Sequence, residues 1–222
     1  MIDGVDACHS SPMGRVISNE LAAMKDLVRR IGRPEAVMVL STLFLILERY
    51  HSFGGHMADR MIFYLGMPMI SIPLILRGNP LDFGLRPGRW RIWGVHVAIA
   101  CAICILLVLA GSRMPSVLRY YGKVKGGFGS YAASRLALIF AVEFMFRGFI
   151  LFGLKKKYGD GAILIQMIPF ALLHIGKPEV ETVGCIVTGT YFGYLALRAG
   201  SLWPAFLIHY FVNLAMVWLA TG

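Results

Sequence analysis

Five polar side chains stand where hydrocarbon is expected, and their spacing is regular. Residues 137–154 read ALIFAVEFMFRGFILFGL and carry Glu143 and Arg147, four apart. A later apolar run ends IPFALLHIGKPEVE, with His174 four residues after Phe170. The last run contains LIHYFVNLA, with His209 and Asn213 four apart. A spacing of four puts each pair on one helical face. An ionised side chain at mid-membrane costs about 2.5–3.5 kcal/mol on insertion scales. Such groups are kept when they pair, face the protein interior or do chemistry. One interior cavity shared by all three helices lets each group find partners.

The inventory suits hydrolysis. A carboxylate and an imidazole can hold and activate water. A second imidazole and an amide can donate hydrogen bonds to a developing oxyanion. An arginine can anchor the carboxylate without titrating itself. Arg147 is therefore expected to pair with Glu143 and to donate further bonds to carbonyls. The alternative is a buried polar network that only ties three helices together.

The elements that must position these groups are membrane helices. The chain has 222 residues, 57% hydrophobic and 15% charged, which points to an all-α, polytopic membrane bundle. Lys and Arg number 22 against 12 acids. They sit mostly between apolar runs, so the positive-inside effect explains them and no nucleic-acid partner is expected. Cys101 and Cys104 spell C-x-x-C inside an apolar run, but no second pair completes a zinc site. The first 33 residues are too polar for a cleavable signal peptide.

The chain divides into a polar segment, 1–33, and a transmembrane domain, 34–222. Residues 17–31 place Ile17, Leu21, Met24, Leu27, Val28 and Ile31 at helical spacing. Ser18 or Asn19 can cap the start, and Gly32 and Pro34 mark the stop. This predicts an amphipathic interfacial helix on the bilayer surface. Apolar runs follow at about 35–50, 61–76, 91–111, 131–154, 161–175, 180–198 and 202–220, giving about seven spans. Pro68, Pro73 and Pro169 should bend or interrupt helices. Lys and Arg concentrate in the segments on the N-terminal side, favouring an inside N-terminus. Gly189 and Gly193, with Gly184 behind them, predict close packing of the sixth span. Ser201 and Pro204 suit the start of the last one.

E-x-x-x-R, F-x-x-x-H and H-x-x-x-N, in that order on successive helices, resemble the CPBP family. This family comprises the type II CAAX prenyl endopeptidases and the Abi-like bacterial intramembrane proteases. The resemblance covers about residues 80–215 and includes "DFGLRPGRW", "EFMFRGFILFGL" and "GYLALRAGSLWPAFLIHYFVN". It implies that His174 helps hold the attacking water and that His209 and Asn213 line the oxyanion site. It also implies that Arg147 anchors the acid on its own helix. The family usually carries two adjacent glutamates, the first being the base, where this chain reads Val142-Glu143. Adjacent helical residues point about 100° apart, so Glu143 does not simply inherit that place. Glu143 can serve as base after a local helix rotation. Glu179 or Glu181 can reach back as surrogate acids. Or the chain is a degenerate member that binds without cutting.

The expected function is hydrolysis of a peptide bond in a membrane-associated protein or peptide, with the lipid bilayer as the other partner. A non-catalytic binding or immunity protein is the alternative. A small transporter would want inverted repeats, and none is visible. No cofactor is expected to be required. One Glu with two His is a known zinc set, which keeps zinc open, although H-E-x-x-H is absent. The expected location is multi-pass in a bacterial inner membrane.

Overall fold

The computed structural model describes residues 12–29, 31–123 and 127–221. Among them there is helix and no β-strand. The first helix, α1, runs Pro12–Arg29 and starts five residues before the predicted 17–31. Pro12 suits a first helical position because its missing N–H has no partner to lose. Ser18 is therefore not a cap. It lies inside the helix and its hydroxyl donates to Arg15 O at 3.0 Å. Met13, Ile17, Leu21 and Met24 remain exposed.

Helix α2, Arg33–Tyr50, starts at Gly32, whose N–H donates to the Glu35 carboxylate at 3.0 Å. Helix α3 covers 56–74 and contains a wide π turn over Met61–Gly66. The chain then passes through a loop with a 3₁₀ turn, Pro80–Asp82, into α4, Trp90–Gly111. A short α5, Pro115–Tyr121, precedes α6, Phe128–Tyr158. The bundle closes with α7 (Gly161–Leu172), α8 (Glu179–Ala199) and α9 (Trp203–Thr221). Each predicted apolar run thus contains helix, but the run 161–175 is helical only to Leu172, so His174 stands in the turn beyond it and not on a helical face with Phe170. Four helices are long and apolar enough to cross a membrane: Trp93–Gly111, α6, α8 and α9. At 12 residues, α7 spans only about 18 Å, short of a hydrocarbon core of about 30 Å. Two of the three prolines stand near helix ends, while Pro68 lies inside α3 just after its π turn. Pro73 stands one residue before the end of α3, and Pro169 three before the end of α7.

Helix α6 is the centre. Of its most apolar window 78% is buried, against 11% for α4. A helix apolar all round belongs inside a bundle, and Phe144, Phe146, Phe149 and Leu154 pack into the main core. Glycines let neighbours approach it and each other. A methyl on Gly153 would come 2.7 Å from Val37 of α2. On α8, methyls at Gly189 and Gly193 would come within 2.9 Å of Phe170 and 2.7 Å of Gln166 on α7. Gln166 also donates to Gly189 O at 2.8 Å. Gly184 departs from the predicted stripe: nothing lies within 4 Å of where its methyl would stand.

The "DFGLRPGRW" loop clasps the end of the bundle where α6 and α8 finish and α9 begins. Leu202 N–H donates to Gly84 O, and Arg89 N–H to Ala199 O, both at 2.9 Å. Trp203 Nε1 donates to Leu85 O at 2.9 Å. Gly84 and Gly88 have φ of +82° and +61°, a region side chains disfavour. This clasp, with Ser201 Oγ accepting from Trp203 N–H at 3.3 Å, fixes where α9 begins. That in turn sets the height of His209 and Asn213.

Candidate active site

A cavity of about 760 Å³ opens among α4, α5, α8, α9 and the turn after α7. His174, His209 and Asn213 line it. Glu143 and Arg147 do not. Both are wholly buried behind it. The expectation that all five groups share one cavity wall therefore holds for three, and Glu143 connects to the cavity through His209.

Glu143 Oε1 accepts two bonds, from Arg147 Nη1 at 3.0 Å and from His209 Nδ1 at 2.6 Å. The ion pair is within one helix and the imidazole comes from α9, so this oxygen joins α6 to α9. Arg147 does not bond to carbonyls as expected. Its Nε and Nη2, like Glu143 Oε2, have no hydrogen-bond partner among the described residues. Instead the guanidinium lies 3.8 Å over the Phe170 ring and 5.3 Å from that of Phe192. Aromatic faces attract a cation strongly when water is excluded, which lets an arginine sit here with few hydrogen bonds. The pair stands where α6 widens into a π turn, Phe144–Ile150, every residue of which is buried. Such turns inside α-helices occur often at functional sites.

Both imidazoles carry a proton on Nδ1. His174 Nδ1 lies 2.9 Å from Phe170 O. A carbonyl only accepts, so Nδ1 holds the proton and Nε2 keeps its lone pair. Thr182 Oγ1 donates to His174 O at 2.8 Å, bracing the turn from α8. His209 presents Nδ1–H to the Glu143 carboxylate, which leaves Nε2 on the opposite side of the ring. The Asn213 Oδ1 accepts from Tyr131 OH at 2.9 Å, which leaves its Nδ2 to donate elsewhere.

The two surrogate acids part company. Glu179 is exposed and does not line the cavity. Glu181 does, but both of its oxygens are engaged. Lys177 Nζ donates to Oε1 at 2.6 Å and Tyr121 OH to Oε2 at 2.8 Å. Val142 is buried in the apolar core, 4% exposed, and does not line the cavity. Sequence reasoning missed Tyr131, Tyr121 and Lys177, which lie outside the three motifs. It also missed the aromatic cradle of Arg147, whose only sequence trace is that Phe170 is the F of F-x-x-x-H.

No group of three or more His, Cys, Asp or Glu among the described residues is placed to hold a metal ion. Cys101, Cys104 and Cys185 are free thiols. Residues 129–215 match the family model of the Rce1-like type II CAAX prenyl endopeptidases. The match takes in every motif residue from Glu143 to Asn213 and leaves the clasp loop outside. No curated protein and no solved structure matches the chain.

Proposed function

We propose, from the match of residues 129–215 to the Rce1-like type II CAAX prenyl endopeptidase model, that the chain is an integral membrane endopeptidase of that kind. Its substrate is a membrane-associated protein or peptide. The observation that carries this reading is the meeting of His174, His209 and Asn213 on one cavity wall, with the Glu143–Arg147 pair directly behind.

In the proposed reaction, His174 Nε2 holds the attacking water and takes its proton as the oxygen adds to the scissile carbonyl. The lone pair left by the Nδ1–H bond to Phe170 O supports this role. The Glu143 carboxylate is walled off by His209, so it acts on His209 rather than on water. There it fixes the ring, and in the imidazolium form His209 Nε2–H, with Asn213 Nδ2, donates to the oxyanion. The proton on His174 then passes to the leaving amine as the carbon–nitrogen bond breaks. Arg147 holds the Glu143 carboxylate in place through the ion pair on its own helix.

Zinc would want three or four protein ligands. Glu143 Oε1 is already shared by Arg147 and His209, so we read the reaction as metal-independent. The membrane arrangement we propose is about seven membrane segments, of which α7 reaches only part of the way across, with the N-terminus inside, in a bacterial inner membrane. The exposed apolar face of α1 then lies in the lipid interface.

Val142, where the family carries its first glutamate, favours a second reading. In it, the chain is a degenerate member that binds a membrane protein or confers immunity without cutting. One experiment separates the two. Purified protein and its His174→Ala variant are incubated with a library of lipid-modified and unmodified peptides, with and without chelator. Cleavage by the parent alone, unaffected by chelator, supports the peptidase. Cleavage by neither supports the binding protein.

A further inference from the structure

We propose that Tyr131 is a positioning residue that selects the working face of the Asn213 amide. The inference rests on the endopeptidase reading above, and Tyr131 lies outside the three motifs of Glu143–Arg147, Phe170–His174 and His209–Asn213. A primary amide has two ends of nearly equal shape, one a donor and one an acceptor. Only the Nδ2 end stabilises an oxyanion. A flipped amide would aim Oδ1 at the developing negative charge and repel it. Something must therefore hold the amide one way round.

Tyr131 is built for this. Its hydroxyl donates to Asn213 Oδ1 at 2.9 Å across 82 residues of sequence. It does not line the cavity, so it acts through Asn213 and not on substrate. Its own place is secured from two sides. The Arg135 guanidinium lies 4.9 Å from its ring centroid, and the ring packs against a buried cluster of Val117, Tyr121 and Val217. One residue along, Ala132 O accepts from Tyr210 OH of α9 at 3.0 Å, which pins the two helices in register. A pattern emerges along α6. Glu143 orients the first oxyanion donor, His209, and Tyr131 orients the second, Asn213. Both donors ride on α9 and both orienting groups ride on α6, so a slip between these helices would disarm both at once.

The test is a double-mutant cycle on peptide cleavage with Tyr131→Phe, Asn213→Ala and the pair. Phe keeps the ring and its packing and removes only the hydroxyl. In the parent, Tyr131→Phe should lower kcat about 2- to 13-fold, the worth of one net hydrogen bond, with KM unchanged. In the Asn213→Ala background it should have no further effect, because there is no amide left to orient. An equal loss in both backgrounds overturns the proposal. If Asn213→Ala itself leaves kcat intact, the oxyanion assignment fails, a different result. If the parent cuts nothing, the orientation is read by NMR on protein labelled with nitrogen-15 at asparagine. The side-chain amide signal that disappears in Asn213→Ala should shift or broaden in Tyr131→Phe. An unmoved signal overturns the proposal.

Discussion

Replacing Arg147 by alanine should destabilise the protein before it affects chemistry. Both side chains of the Glu143–Arg147 pair are completely buried. Removing one partner of such a pair strands an uncompensated charge and costs about 3–5 kcal/mol. The variant also loses the cation–aromatic contact at 3.8 Å over Phe170, worth about 2 kcal/mol when desolvated. In a chain of this size each kcal/mol moves the unfolding midpoint by about 2–4 °C. The two losses together come to about 5–7 kcal/mol, so the expected drop is about 10–28 °C by thermal unfolding in detergent, with a matching fall in folded yield. The control is Glu143→Gln with Arg147→Met. Removing both charges leaves no orphan, and replacing a buried pair by apolar or neutral groups is often neutral or stabilising. The double variant should recover most of the midpoint while remaining inactive. A normal midpoint for Arg147→Ala with activity alone lost would refute the reasoning and put Arg147 in direct contact with the reaction. So would a double variant no more stable than the single one.

Three further outcomes are expected. Val142→Glu should lower folded yield without raising cleavage, because the new carboxylate enters an apolar core beside Glu143; a large gain in activity would instead mean that the missing base is the chain's only defect. Gly88→Ala should lower the unfolding midpoint although it is far from the chemistry, since its methyl would collide with Ala199 O and φ is +61°; an unchanged midpoint would mean that the clasp gives way freely. Asp59 lies ahead of the apolar stretch of α3, and its carboxyl is held below the ordinary 3.8 by the N–H of Phe53, with burial opposing and the Ser52 hydroxyl assisting. Its contribution to stability is fully present above the unfolded value and is lost as pH falls through the lower folded one, so Asp59→Asn should be the less stable protein near neutral pH and the difference should close below about 3.8.

The helices were legible because hydrophobic runs and prolines act locally. Each apolar run from 35 to 220 contains helix, and Pro169 sits near the end of α7, which stops at Leu172 and leaves His174 in a turn. The start of α1 was misread because Ser18 resembles a cap, while Pro12, five residues upstream of the predicted start, begins the helix. Motif residues were legible as types at a spacing, which is enough to pair Glu143 with Arg147. Their depth was not. Whether Glu143 faces the cavity or lies behind His209 depends on how α6 and α9 rotate against each other, and that is set by contacts up to 82 residues apart. Glu179 and Glu181 were equivalent by sequence. The turn 173–178 and the start of α8 separate them, sending one to the exterior and the other to Tyr121 and Lys177.

Keeping Glu143 and Arg147 on the same helix has a consequence for how the chain enters the membrane. The imidazole that completes the cluster lies 66 residues further on. At about 5–20 residues per second of synthesis, α6 precedes it by about 3–13 s. With its counter-charge one turn away, the Glu143 carboxylate of α6 is already paired when the helix leaves the translocation channel and need not wait for α9. Had the arginine been carried by α9, the nascent helix would meet lipid with a bare carboxylate. Chains ended shortly after Tyr158 should therefore integrate efficiently in a protease-protection assay. The same truncated chains carrying Arg147→Ala should lag, well before any active site exists to be impaired.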